Sequence, residues 1–125
     1  MKSTRPVSRQ IQGTEDSFET LRHAFQARLE SERLYFVTLS AALARAEENP
    51  ALIFQDLQFR AHRLQGGAAI FEESEVAEAA GVLEHAAVQA AQSRAGNTDA
   101  RVRSALRSLV SLMGRYRSEP AVAEN

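Results

Sequence analysis

The chain has 125 residues, 44% hydrophobic and 25% charged, the composition of a single globular unit with a core of its own and not of a disordered segment. Its 15 basic and 16 acidic side chains leave a net charge of −1, so it lacks the basic field that holds a nucleic-acid backbone. With 0 cysteines, disulfides, thiolate metal sites and cysteine nucleophiles are excluded.

The opening MKSTRPVSRQIQG lacks the apolar core of a secretory signal, and no apolar run is long enough to span a bilayer, so we expect a cytoplasmic protein without a membrane partner. The first expected helix opens at a Thr14 or Asp16/Ser17 cap. It carries Phe18, Leu21, Phe25, Leu29, Phe36, Leu39 and Leu43 at helical spacing, with Ser31 as the place for a bend, and ends at Asn49-Pro50. A second helix follows, its core face made of Ile53, Leu57, Ala61, Leu64, Ala68 and Phe71.

After a short turn, Ser74 caps a third helix that buries Val76, Ala79, Ala80, Leu83, Ala87 and Ala90. The run Ser93 to Thr98 reads as a C-cap glycine at Gly96, a turn and a new N-cap. Val102, Ala105, Leu106, Leu109, Leu112, Met113 and Tyr116 then define a fourth helix. Strand and hairpin signals are missing, so the expected fold is all-α: an antiparallel four-helix bundle over residues 14–117 with short connections. Frayed, flexible segments over 1–13 and 118–125 complete the expected layout.

On a 100° wheel the core stripe of the second helix centres roughly 140° from His62, which therefore faces water. Gln55, Gln58, Phe59, Gln65, Gly66 and Ala69 share that face. A solvated helix face ordinarily carries Glu, Lys and Arg; this one offers amides, an aromatic ring and a helix-interior glycine. Each glycine there costs about 1 kcal/mol relative to alanine. One compensation is access, because a missing Cβ at Gly66 lets another protein's backbone come close to the imidazole. The alternative is that Gly66-Gly67 breaks or kinks the helix. Phe59 is left open between docking a partner and joining the core.

The run Ala61-His62-Arg63-Leu64-Gln65-Gly66-Gly67-Ala68-Ala69-Ile70-Phe71, followed by Val76-Ala77-Glu78 and Val82-Leu83-Glu84-His85-Ala86-Ala87, resembles the histidine-containing phosphotransfer (HPt) family of two-component phosphorelays. The resemblance is close over about 30 residues and extends to the helix layout elsewhere. It implies that His62 is the phosphoacceptor, taking a phosphoryl group from a receiver-domain aspartyl phosphate and relaying it to another receiver aspartate. It further implies a monomeric phosphoprotein without kinase activity of its own, whose partners are receiver domains of response regulators or hybrid histidine kinases. No cofactor is expected on this chain, with Mg²⁺ on the partner receiver only.

Two positions depart from the family pattern. Where a lysine usually stands three residues after the histidine, this chain has Gln65, an uncharged hydrogen-bond donor; Arg63, about 100° around the helix, is placed to supply charge. Where the chain usually turns on glycine, it has Glu72. Gln65 keeps open a second function: an unphosphorylated HPt-like module that docks on a receiver or kinase domain and regulates it. His23 and His85 have no metal-ligand spacing, and Glu72, Glu73, Glu75 and Glu78 read as acidic residues favoured at a helix start.

Overall fold

The computed structural model describes residues 5–45, 50–93 and 96–116. Over these residues the chain is entirely helical apart from turns, with α1 at Arg5–Arg45, α2 at Ala51–Ile70, α3 at Ser74–Gln92 and α4 at Gly96–Met113. A 3₁₀ turn, Gly114–Tyr116, follows α4. α1 starts at Arg5 and not at Thr14 or Asp16/Ser17, with Pro6 in the first turn, where its missing N–H is not needed. It passes Ser31 without a break. The expected end at Asn49 and the tail over 118–125 lie outside the described residues.

Pro50 opens α2 as expected, its carbonyl accepting the Phe54 N–H at 3.0 Å. α2 ends in a Schellman turn: the Glu72 N–H donates to the Ala69 carbonyl and the Glu73 N–H to that of Ala68, at 3.2 and 2.8 Å. Glu72 occupies the left-handed position of this motif, with φ 62°. That is the conformation for which glycine is the default residue. The N-cap of α3 is Glu73 and not Ser74, which is already helical; the Glu73 carbonyl accepts the Ala77 N–H at 2.9 Å. At the next connection Gly96 is the first residue of α4 and not a C-cap.

The Glu73 side chain is buried in a polar node that closes this end of the bundle. Its carboxylate accepts a hydrogen bond from Gln26 Nε2 on α1 at 2.7 Å and another from the Tyr116 hydroxyl. Burial, and then the Glu73 carboxylate, push the Tyr116 hydroxyl up to about 12. Of the other acidic residues near this turn, Glu75 pairs with Arg115 at 2.7 Å while Glu72 and Glu78 are exposed.

One core unites the four helices, formed by Phe25, Leu29, Phe36, Leu39 and Leu43 of α1, Leu57, Ala61, Leu64 and Ala68 of α2, Val76, Ala80, Leu83, Ala87 and Ala90 of α3, and Val102, Leu106, Leu109 and Met113 of α4. α2 and α3 form the closest backbone pairing in the bundle, with alanines along their shared seam. Three expectations are corrected. Phe54 is buried where Ile53 was expected; the two stand about 100° apart on the wheel and flank the core direction, and the larger ring turns inward while Ile53 covers the edge of the core. Phe18 and Leu21 are exposed, at 38% and 58%. α1, at 41 residues, is about twice as long as its 20-residue neighbour α2 and outruns it; Phe18, near the overhang, meets the ring of Phe71 with centroids 5.5 Å apart.

Gly66-Gly67 does not break α2. A Cβ on Gly67 would lie 2.7 Å from Cε1 of Phe25, so this glycine is what allows α2 to settle on that ring. A Cβ on Gly66 would meet nothing within 4 Å. Packing accounts for one glycine and leaves the other unexplained.

Candidate functional site

Ala61 and Leu64 point into the core, so His62 between them turns outward, and its side chain is 71% exposed. The ring is nevertheless held. Its Nδ1 lies 2.9 Å from Glu84 Oε2 on α3, and the Glu84 side chain is itself only 25% exposed. An ionised carboxylate can only accept, so a neutral ring carries its proton on Nδ1 and presents the Nε2 lone pair to solvent. One contact thus fixes the tautomer and the direction of the nucleophilic atom.

One turn along α2, the Gln65 amide is half-buried over α3. A Cβ on Gly81 would lie 2.8 Å from Gln65 Nε2, so the glycine supplies the space that the amide fills. The pairs His62–Glu84 and Gln65–Gly81 advance along α2 as they retreat along α3, both centred on Glu73. Gln65 is thereby drawn into the seam between helices and not extended over the imidazole.

Phe59 is 61% exposed, which settles its position: it stands on the surface beside His62, with the Arg63 guanidinium 5.6 Å from the ring centroid. Gln55, Arg63, Gly66 and Ala69 are exposed, and Gln58 is half-buried. The face around His62 therefore combines an aromatic ring, a guanidinium, amides and the gap at Gly66. Sequence reasoning missed Glu84 as a partner of the histidine and Gly81 as the seat of Gln65. A hairpin centred on Glu73 pairs both with the right α2 residues, a signal available once that turn is located.

Among the described residues no group of three or more His, Cys, Asp or Glu is placed to hold a metal ion, and His23 and His85 are exposed. His85 lines a cleft of about 640 Å³ between α3 and α4, bounded by Ala79, Val82, Arg101, Ala105 and Leu112, on a face of α3 different from that of Glu84. Among the described residues no helix is long and apolar enough to cross a membrane. No family model matches the chain, and no curated protein or solved structure matches it.

Proposed function

We propose that this chain is a histidine phosphotransfer protein of HPt type. It is an antiparallel four-helix bundle that accepts a phosphoryl group on His62 from a receiver-domain aspartyl phosphate and relays it to another receiver aspartate. The observation that carries this reading is the exposed imidazole tethered through Nδ1 to Glu84, with Nε2 free and open space above Gly66.

In the accepting step the Nε2 lone pair attacks phosphorus, the N–P bond forms, and the P–O bond to the donor aspartate breaks with its carboxylate leaving. In the donating step an acceptor carboxylate attacks and the imidazole leaves with its electron pair. Glu84 holds the ring in place through both steps, and Phe59, Gln55, Gln58 and Ala69 form the face on which the receiver docks. Gly66 leaves room for the phosphoryl group, with the Arg63 guanidinium over Phe59 and the Gln65 amide in the α2–α3 seam to either side. Charge neutralisation during transfer falls to the receiver and its Mg²⁺, so the chain acts as a cytoplasmic, monomeric phosphoprotein in signal transduction and not as a kinase.

The test is to mix the protein with phosphorylated receiver domains in Mg²⁺ and follow acid-labile label. Wild type takes up label and His62→Gln does not; equal labelling of the two refutes the assignment. The uncharged Gln65 favours one second reading, a docking module that binds receivers without being phosphorylated. It predicts receiver binding by both proteins and phosphohistidine on neither.

A further inference from the structure

We propose that the phosphoryl group on His62 is short-lived and is passed on rather than stored, because the side chains around the ring disfavour a phosphoryl dianion and promote departure of the imidazole. This rests on His62 being the acceptor, as argued above. Three placements carry it.

First, the Glu84 carboxylate sits 2.9 Å from Nδ1, on the far side of a single five-membered ring from the atom that would bear the phosphoryl group. Two anions are then held well within a Debye length of about 8 Å. Second, the residue one turn beyond the histidine is Gln65, which contributes no charge wherever its amide lies. Third, the Arg63 guanidinium lies over the Phe59 ring, 5.6 Å from its centroid. On α3 the residues flanking Glu84 toward this face are uncharged, and His85 turns to the other cleft.

The same carboxylate assists the chemistry of release. With the proton kept on Nδ1, cleavage of the N–P bond expels a neutral imidazole instead of an imidazolate anion, a far better leaving group. When water is the acceptor, its oxygen attacks phosphorus, the N–P bond breaks, inorganic phosphate departs and Nε2 recovers its lone pair. When a receiver aspartate is the acceptor, its carboxylate oxygen takes the place of water.

Phosphoramidate supplies a phosphoryl donor that needs no receiver: Nε2 attacks its phosphorus and ammonia leaves. The 125-residue chain is labelled this way, and the loss of phospho-His62 at about neutral pH is followed by ³¹P NMR. Gln65→Lys, which adds a cation one turn away, and Glu84→Gln, which removes the anion but keeps an amide at the ring, are each expected to lengthen the half-life about two- to fivefold, the range of exposed charge pairs. Gly81→Ala separates charge from packing, because it displaces the Gln65 amide without altering any charge; its half-life is expected to equal that of wild type.

Equal half-lives for wild type and Gln65→Lys overturn the inference, as does a Gly81→Ala protein as long-lived as the lysine variant. The relay itself is judged separately by exchange with receivers. Ordered lifetimes without such exchange would remove the relay and leave the lifetime argument standing, whereas exchange with equal lifetimes does the reverse. A His62 that takes no label from phosphoramidate overturns both.

Discussion

Glu72→Gly should stabilise the protein, and the size of the gain follows from the turn. Glu72 sits at φ 62° in the Schellman motif that ends α2. For a residue with a Cβ that conformation costs about 1–2 kcal/mol, and glycine adopts it without penalty. Against the relief stands the greater freedom of glycine in the unfolded chain, about 0.5–1 kcal/mol. The expected net gain is about 0.5–1 kcal/mol. For 125 residues an unfolding entropy near 2.1 cal/mol/K per residue converts this to a rise in Tm of about 2–4 °C. Thermal unfolding followed by circular dichroism at neutral pH measures it. Glu72→Ala is the control, since it removes the charge and keeps the strain. A Glu72→Gly protein no more stable than wild type, or a Glu72→Ala protein stabilised equally, would refute the backbone argument.

The two adjacent glycines should respond in opposite directions. Gly66→Ala gains helix propensity in open space and should add up to about 1 kcal/mol in urea unfolding, while Gly67→Ala drives a Cβ against a Phe25 ring already stacked on Phe71 and should cost about 1–3 kcal/mol. Tyr116→Phe removes one of two donors to the buried Glu73 carboxylate and should destabilise by about 1–2 kcal/mol. Because the Tyr116 hydroxyl is raised from 10.0 to about 12 in the folded state, its contribution is complete below pH 10 and lost as pH rises through 12; denaturation compared at pH 9 and pH 12 should show an alkaline loss in wild type that Tyr116→Phe lacks. Phe59→Ala should leave stability nearly unchanged, since the ring is 61% exposed, and should weaken receiver binding measured by calorimetry.

The limits of the sequence are visible in particular residues. Helical period alone locates the buried face of α2 at Leu57, Ala61, Leu64 and Ala68, and therefore the outward direction of His62, because a 100° step per residue leaves little freedom. It does not rank residues that flank the core direction, which is why Phe54 is buried and Ile53 only partly so. It also fails where a helix runs on without a core to bury: α1 begins at Arg5, ahead of the Thr14 or Asp16/Ser17 cap from which the sequence places its start. Contacts between helices depend on register, which period does not contain. Glu84 was visible as an acidic residue of α3, yet its pairing with His62 depends on the turn being centred at Glu73.

The double glycine is where sequence and structure together say more than either alone. A single explanation for both, a kink or a docking gap, fits the composition equally well. The structure divides them. Gly67 is required by Phe25, whereas a Cβ on Gly66 would meet nothing within 4 Å, so its helix penalty of about 1 kcal/mol relieves no clash inside the fold. A residue that weakens its helix and relieves no clash within the fold is best explained by something outside the fold, and one turn back on that face stands the exposed imidazole of His62. Gly66→Ala is therefore the substitution that pulls stability and transfer apart. It should unfold at higher urea than wild type while exchanging its phosphoryl group with receivers more slowly, and a variant that gained stability with no loss of exchange would return Gly66 to the ordinary surface.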